Sequence, residues 1–407
     1  MIEEVKQIIA KVTSLASTTM WGQERINFFM EKISILTDAE RKLIFQLFHK
    51  ILAAMVDKES SDLEFGGFGN DEFVWMRTYG KKERVSEIPK FTLDESSIII
   101  LNLLNENQRR YLTVTKSLDF SYTFKYERRG TNVRFRCTVY FDLDQIALNM
   151  RAISDKVRSL ESLEFNPHLA RAISHNYVKF GLCLITGITG SGKSSTLDAI
   201  IDYHNKIDPA HIVIIASPLE FVHKSNVAII RHREVGRDVL SFKEGVVQSL
   251  RQDPDIIVIG EMRDPDTIMA ALELTDTGHK VFSTLHTSSA VESIDRIIAE
   301  VHPSEQERVR NRLADVLVSV ISQKLVPTTN GKLALAKEVL IINPSVKAAI
   351  KNNNTSEIYM MINQGGQVGM NTMEQDLKRL FVQKKISIET AMAFANNKVR
   401  MQQILSA

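Results

Sequence analysis

Residues Gly187 to Ser194 read Gly-Ile-Thr-Gly-Ser-Gly-Lys-Ser and follow directly on an apolar run of strand length, Leu182 to Thr186. The pattern G-x-x-x-x-G-K-[ST] between a buried strand and a helix constrains the fold more than any other stretch, because it works only as a strand–loop–helix turn. Gly187, Gly190 and Gly192 let the backbone curl until successive N–H groups face one concavity, and the helix expected over Ser195 to Tyr203 adds its positive end. Gly187, Gly190, Ser191, Gly192, Lys193, Ser194 and Ser195 are therefore the residues expected to bind ATP. Lys193 is expected to reach the β- and γ-phosphates, and the Ser194 hydroxyl to ligand the Mg²⁺ that bridges them.

From Leu169 onward, apolar runs alternate with helix-length segments: Leu182 to Thr186, Ile212 to Ala216, Val227 to Ile230, Ile256 to Ile259 and Val281 to Leu285. This alternation predicts an α/β domain with a parallel sheet, its ligand lying off the carboxyl ends of the strands. The run Ile256 to Ile259 delivers Gly260 and Glu261 to that edge, so Glu261 is the expected base that orients and polarises the attacking water. A helix-capping role before Pro265 is the plainer alternative for Glu261.

The rest of the chain divides around this domain. Val5, Ile8, Ile9, Val12, Leu15 and Ala16 recur at helical spacing, and a second such segment follows over Ile26 to Ile35, which together predict a helical extension over residues 1–36. Thr37 and Glu40 form a capping-box pattern before a helical stripe from Leu43 to Met55, and strand candidates follow at Ser61 to Phe65, Glu72 to Tyr79, Phe120 to Tyr126 and Val133 to Phe141, with Gly130 in the turn over Glu127 to Asn132. Residues 38–152 are read as a small α+β domain, 153–167 as a linker with its hinge over Ser154 to Glu164, 168–330 as the ATPase domain and 331–407 as a C-terminal helical region.

A net charge of +2 without a long basic run gives little reason to expect nucleic acid as a partner, and the two cysteines, Cys137 and Cys183, cannot build a disulfide framework. With no basic n-region followed by an apolar core at the start and no run of ~18 apolar residues, the expected location is the cytoplasm, with membrane contact only through a partner.

Several segments resemble one known family. The phosphate loop, Gly-Glu261-Met-Arg-Asp264, Leu219-Glu220-Phe-Val-His223 and Thr277-Gly-His279-Lys-Val-Phe-Ser-Thr-Leu-His286-Thr resemble the Walker, Asp-box and His-box motifs of secretion and type IV pilus ATPases. Ser322 to Pro327, Asn343 to Lys351 and Gly369 to Gln375 are most similar to the PilT-like retraction branch. The resemblance covers roughly residues 38–400. It implies a PAS-like domain joined to a RecA-like ATPase domain, a homohexamer with ATP between the domains, and pilus retraction, that is, pilin disassembly and twitching motility. It further implies a cytoplasmic motor peripheral to the inner membrane, with a pilus platform protein and a second pilus ATPase as partners. His286 would lie near the γ-phosphate, Glu220 would count with Glu261 and His286 among the catalytic residues, and Arg134, Arg136 and Arg151 would face nucleotide across the domain cleft. An alternating polar face on a solvated strand is the plainer reading of Arg136.

One departure stands out. The family's Asp box carries two acids before the proline, where this chain has Ala216 and Ser217, so Glu220 alone survives. If those acids help to hold Mg²⁺, hydrolysis is expected to be slow, and a catalytically weak, nucleotide-gated ring component is the alternative. A type II or Dot-type export ATPase is another, through Thr78 to Lys82 and Leu118 to Tyr122. The four-cysteine zinc element of assembly and type II enzymes cannot form, since no cysteine follows Cys183.

Overall fold

The computed structural model describes residues 2–406 apart from 79–80, 127, 129 and 154–156. The chain forms two compact units, Met1–Asp155 and Lys156–Ala407. The expected hinge over Ser154 to Glu164 falls partly outside the described residues, as do Tyr79 of the second strand candidate and of the Dot-like segment, and Glu127 in the expected turn.

The first unit opens with α1 (Ile2–Thr13), α2 (Gly22–Lys32) and α3 (Asp38–Asp57). Thr37 and Glu40 form the expected capping box, each side chain accepting the other's backbone N–H, which fixes the start of α3. Val5, Ile9, Ile26 and Phe29 of the first two helices pack into the same hydrophobic cluster as Phe48 and Leu52 of α3, so residues 1–36 share one core with the α+β domain. The strands are β1 (Ser60–Gly66), β2 (Trp75–Thr78), β3 (Lys81–Arg84), β4 (Ser117–Tyr126), β5 (Thr131–Asp142) and β6 (Gln145–Ile153), with α4 (Leu93–Leu103) and α5 (Glu106–Thr115) between β3 and β4. They form one antiparallel sheet in the order β3-β2-β1-β6-β5-β4. Its period-two alternation buries Leu63, Phe65, Phe135, Cys137, Leu148 and Met150 on one face.

The second unit holds α6 (Pro167–Ile173), β7 (Gly181–Thr186), α7 (Lys193–Ile207), β8 (His211–Ala216), β9 (Ile229–Glu234), α8 (Phe242–Ser249), β10 (Ile256–Ile259), α9 (Pro265–Asp276), β11 (Lys280–Leu285), α10 (Ala290–Ala299), α11 (Gln306–Val316), β12 (Leu317–Pro327) and β13 (Leu333–Ile341). After these come α12 (Pro344–Lys351), α13 (Ile358–Gln364), α14 (Met373–Val382), α15 (Ile388–Phe394) and α16 (Lys398–Ser406). The sheet runs β13-β12-β7-β11-β10-β8-β9, parallel except for the β12–β13 pair. The C-terminal region thus opens on a strand of the central sheet before it turns helical.

The apolar runs are continuous because both faces of the sheet are covered. Leu182, Leu184, Ile257 and Ile259 pack into one core with α9, α10 and α11, whereas Cys183, Ile185, Ile256 and Val258 pack into a second core with α6 and α7. All these strands run the same way, so the chain leaves β7, β8, β10 and β11 at one edge, and four loops converge there. No described helix is long and apolar enough to cross a membrane.

Candidate nucleotide site

At this edge Thr186 ends β7 and Lys193 begins α7, with Gly192 (φ 86°) as its N-cap. Gly187 has φ 150°, and a Cβ there would collide with the Ser191 hydroxyl and the Gln323 carbonyl, so the loop closes only around glycine. Apart from its two chain neighbours, no described residue has an atom within 4 Å of a Cβ placed on Gly190, which sits at the open tip. Lys193 is 8% exposed and folds back on its own loop, its Nζ donating to Gly187 O at 2.7 Å and Ile188 O at 3.0 Å. Burial pushes its pKa below the ordinary lysine value, while Glu220 and Glu261 oppose that shift through their charge. Both carboxylates therefore lie within electrostatic reach of Lys193.

Glu261 follows Gly260, whose N–H donates to Ile215 O at 2.7 Å and fixes the exit from β10 beside β8. Its Oε2 accepts from Arg263 Nε at 2.7 Å and lies 3.6 Å from His286 Nε2. Asp264, not Glu261, caps α9: its side chain accepts the Thr267 N–H at 2.8 Å. The capping alternative for Glu261 is thereby removed. His286 leaves the end of β11, and its carbonyl accepts from Arg296 Nη1 of α10 at 3.2 Å. Burial lowers the His286 pKa, Lys193, Arg263 and Arg296 lower it further, and Glu261 raises it. The net shift is downwards, which favours the neutral imidazole, and His286 lies within electrostatic reach of both the loop lysine and Glu261.

Beyond β8, Ser217 and Glu220 are exposed and Ala216 is half-buried. His223 is buried and anchors this loop to the phosphate-loop helix, its Nε2 lying 3.0 Å from Asp198 Oδ1 of α7. His279 lies before β11, at the opposite edge of the sheet from His286, where its Nδ1 lies 2.9 Å from the Thr277 hydroxyl and 3.2 Å from Leu274 O. It finishes α9 and stands apart from the site. Among the described residues no group of three or more His, Cys, Asp or Glu could hold a metal ion. A phosphate loop binds Mg²⁺ through one hydroxyl together with phosphate oxygens and water, so the donor set at Ser194 fits that ion.

Arg134, Arg136 and Arg151 belong to the first unit. Arg136 pairs in register with Arg151, Arg151 with Asp62 and Asp62 with Arg77, a single row across four strands on the polar face of the sheet. Arg151 Nε donates to Asp62 Oδ1 at 2.7 Å. Burial tends to raise the Asp62 pKa, but the Ser61 and Arg151 hydrogen bonds and the charges of Arg151 and Arg77 hold it below the ordinary carboxylate value.

Two features were not legible as parts of the site. Arg263 was visible only inside the Gly-Glu-Met-Arg-Asp motif, where nothing assigned it to Glu261, and Gln323 arrives from a strand more than a hundred residues downstream. In helix α12, Val346, Ala349 and Ile350 are at most 5% exposed and belong to the unit's core. Lys351 beside them pairs with Asp315 at 2.7 Å.

A phosphate loop after β7, a carboxylate two strands away after β10 and a histidine after the strand between them, β11, all at one edge of a parallel sheet, define a RecA-like P-loop ATPase. Residues 38–403 match the family model described as type II/IV secretion system protein, and the chain belongs to that family of ATPases. It is 38% identical over 328 residues to a twitching motility protein of Neisseria gonorrhoeae, covering 80% of this chain and 85% of that one. It is also 38% identical to the type IV pilus retraction ATPase PilT of Pseudomonas aeruginosa, covering 78% and 89%. The crystal structure of the pilus retraction motor PilT with bound ADP superposes with a TM-score of 0.76 at 32% identity, covering 87% of this chain and 98% of that one.

Proposed function

We infer that this chain is the ATPase of a type IV pilus retraction motor. The observation that carries the reading is the convergence of Lys193, Glu261 and His286 at one sheet edge, in a chain similar over most of its length to retraction ATPases. On binding ATP, the Lys193 amine exchanges the Gly187 and Ile188 carbonyls for β- and γ-phosphate oxygens. Ser194 would hold Mg²⁺, which would supply charge neutralisation along the phosphates. Glu261 orients the attacking water through an oxygen and takes up its proton, and neutral His286 donates a hydrogen bond that depends on the γ-phosphate being present. Arg134, Arg136 and Arg151, on the polar face of the first unit's sheet, are candidate groups for neutralising phosphate charge.

Six such chains forming a ring would couple loss of the γ-phosphate to the opening of each subunit, and the ring would act on a pilus platform protein at the inner membrane. Ala216 and Ser217 favour one second reading, a slow ATPase that serves as a nucleotide-gated ring component. Steady-state ATPase measurement on the purified ring separates the two. Turnover abolished by Glu261→Gln supports the motor, and absence of turnover in the parent protein favours the gated component.

A further inference from the structure

Strand β12 lies beside β7 with Ser322 in register with Thr186, and the two hydroxyls are 2.8 Å apart. Gln323, the next residue, therefore falls alongside the start of the phosphate loop. Its side chain is 1% exposed, and its Nε2 donates to the Ser191 carbonyl at 2.9 Å. A trans peptide points its C=O and the following N–H in opposite directions. Pinning Ser191 C=O towards β12 thus turns the Gly192 N–H away from β12, at the N-cap of α7.

Two buried polar atoms here, Gln323 Oε1 and Ser191 Oγ, have no hydrogen-bond partner among the described residues. A buried amide left half-satisfied is a poor choice for packing, since an apolar side chain of the same length would fill the space without that cost. What an apolar side chain cannot do is hold the Ser191 peptide in one orientation.

We propose that Gln323 is a positioning residue for phosphate recognition, aiming the Gly192 N–H at the bound nucleotide by holding the Ser191 carbonyl. This rests on the phosphate loop being the nucleotide site. Losing one aimed donor to a charged phosphate weakens binding by about tenfold or more.

The test is ADP titration of the full-length protein, alongside thermal unfolding of the nucleotide-free form. Gln323→Met is expected to weaken ADP binding about tenfold with little loss of thermal stability, whereas Thr186→Val, which breaks the neighbouring hydroxyl pair, is expected to lower stability and leave ADP affinity within about twofold. Gln323→Glu supplies a second readout: its carboxylate cannot donate to Ser191 O but its neutral acid can, so ADP affinity relative to the parent should recover as pH falls. ADP affinity of Gln323→Met within about twofold of the parent, equal weakening by Thr186→Val, or a Gln323→Glu deficit that does not change with pH would each overturn the proposal. Lys193→Ala run in parallel distinguishes the two levels. If it binds ADP as the parent does, the site reading falls and takes this proposal with it; if it loses ADP, the Gln323 outcomes decide the proposal alone.

Discussion

Arg263 Nε donates to Glu261 Oε2 at 2.7 Å, so the residue expected to act as base already has one of its oxygens committed, while His286 stands 3.6 Å from that same oxygen. Arg263 is largely exposed and its pair with Glu261 is screened by water, so the contact orients the carboxylate more than it stabilises the fold. Glu261→Gln keeps the shape and removes the base. ATP should still bind, and kcat should fall by about 10²–10⁴-fold. An unchanged kcat would leave Glu261 no catalytic role.

Lys193→Ala removes the charge that meets the phosphates. Of the two carbonyls it now caps, that of exposed Ile188 is open to water and that of buried Gly187 is not, so stability should fall by about 1–3 kcal/mol while the fold persists. Nucleotide affinity should fall by about 10²-fold or more, and circular dichroism should be unchanged. Parent-like ATP turnover would refute the site.

The phosphate loop, its strand and helix, and the edge carrying Glu261 and His286 were legible because each rests on a local signal: a glycine spacing, an apolar run, a polar residue just past it. Other elements gave no such signal. Helix α4 is buried continuously from Ser96 to Leu103, so it shows no helical period, and β3 is Lys-Lys-Glu-Arg with every residue exposed, so it has no apolar face to read. The packing of residues 1–36 into the first unit's core, the place of β13 in the central sheet and the reach of Gln323 to the loop are all long-range facts. A window of sequence does not contain them.

The Asp-box departure has a direct test. Ala216 is half-buried and Ser217 exposed, both beside the Gly260 exit that delivers Glu261, so larger side chains can extend outwards. Ala216→Glu with Ser217→Asp should raise kcat or tighten the dependence on Mg²⁺ in a steady-state assay. No change in either would mean the metal's surroundings are complete without them.

Burial in the core changes what substitutions in α12 can test. Ala349→Glu with Ile350→Glu places two charges where the chain is at most 5% exposed, so it should destabilise the unit by more than ~4 kcal/mol and report on folding alone. Lys351→Glu, which sets a carboxylate against Asp315 on the surface, should leave ATPase activity and thermal stability nearly unchanged. If this face engages a partner, retraction should slow.

Glu338 of β13 is buried, and desolvation pushes its pKa up to about 7, helped by the charge of Glu374 and opposed by the Ala290 N–H and Lys324. Because the folded value lies above the unfolded one, the folded state holds a proton that the unfolded chain releases, and stability falls as pH rises from about 4.5 to about 7. Glu338→Gln keeps an oxygen for the Ala290 N–H, which now donates to Glu338 at 2.8 Å. It should stabilise the protein at pH 8 by up to ~3 kcal/mol and by almost nothing near pH 4.5, as read from urea unfolding at the two pH values. An equal effect at both would show that Glu338 does not titrate in this way.

The most direct test of the retraction reading is to label pili fluorescently in the native host and follow individual filaments after deleting the gene or replacing it with the Glu261→Gln form. Pili that extend and stay extended, on cells that no longer twitch, are the predicted result. Cells that lose their pili, or that retract them normally while failing to export a substrate, would contradict it.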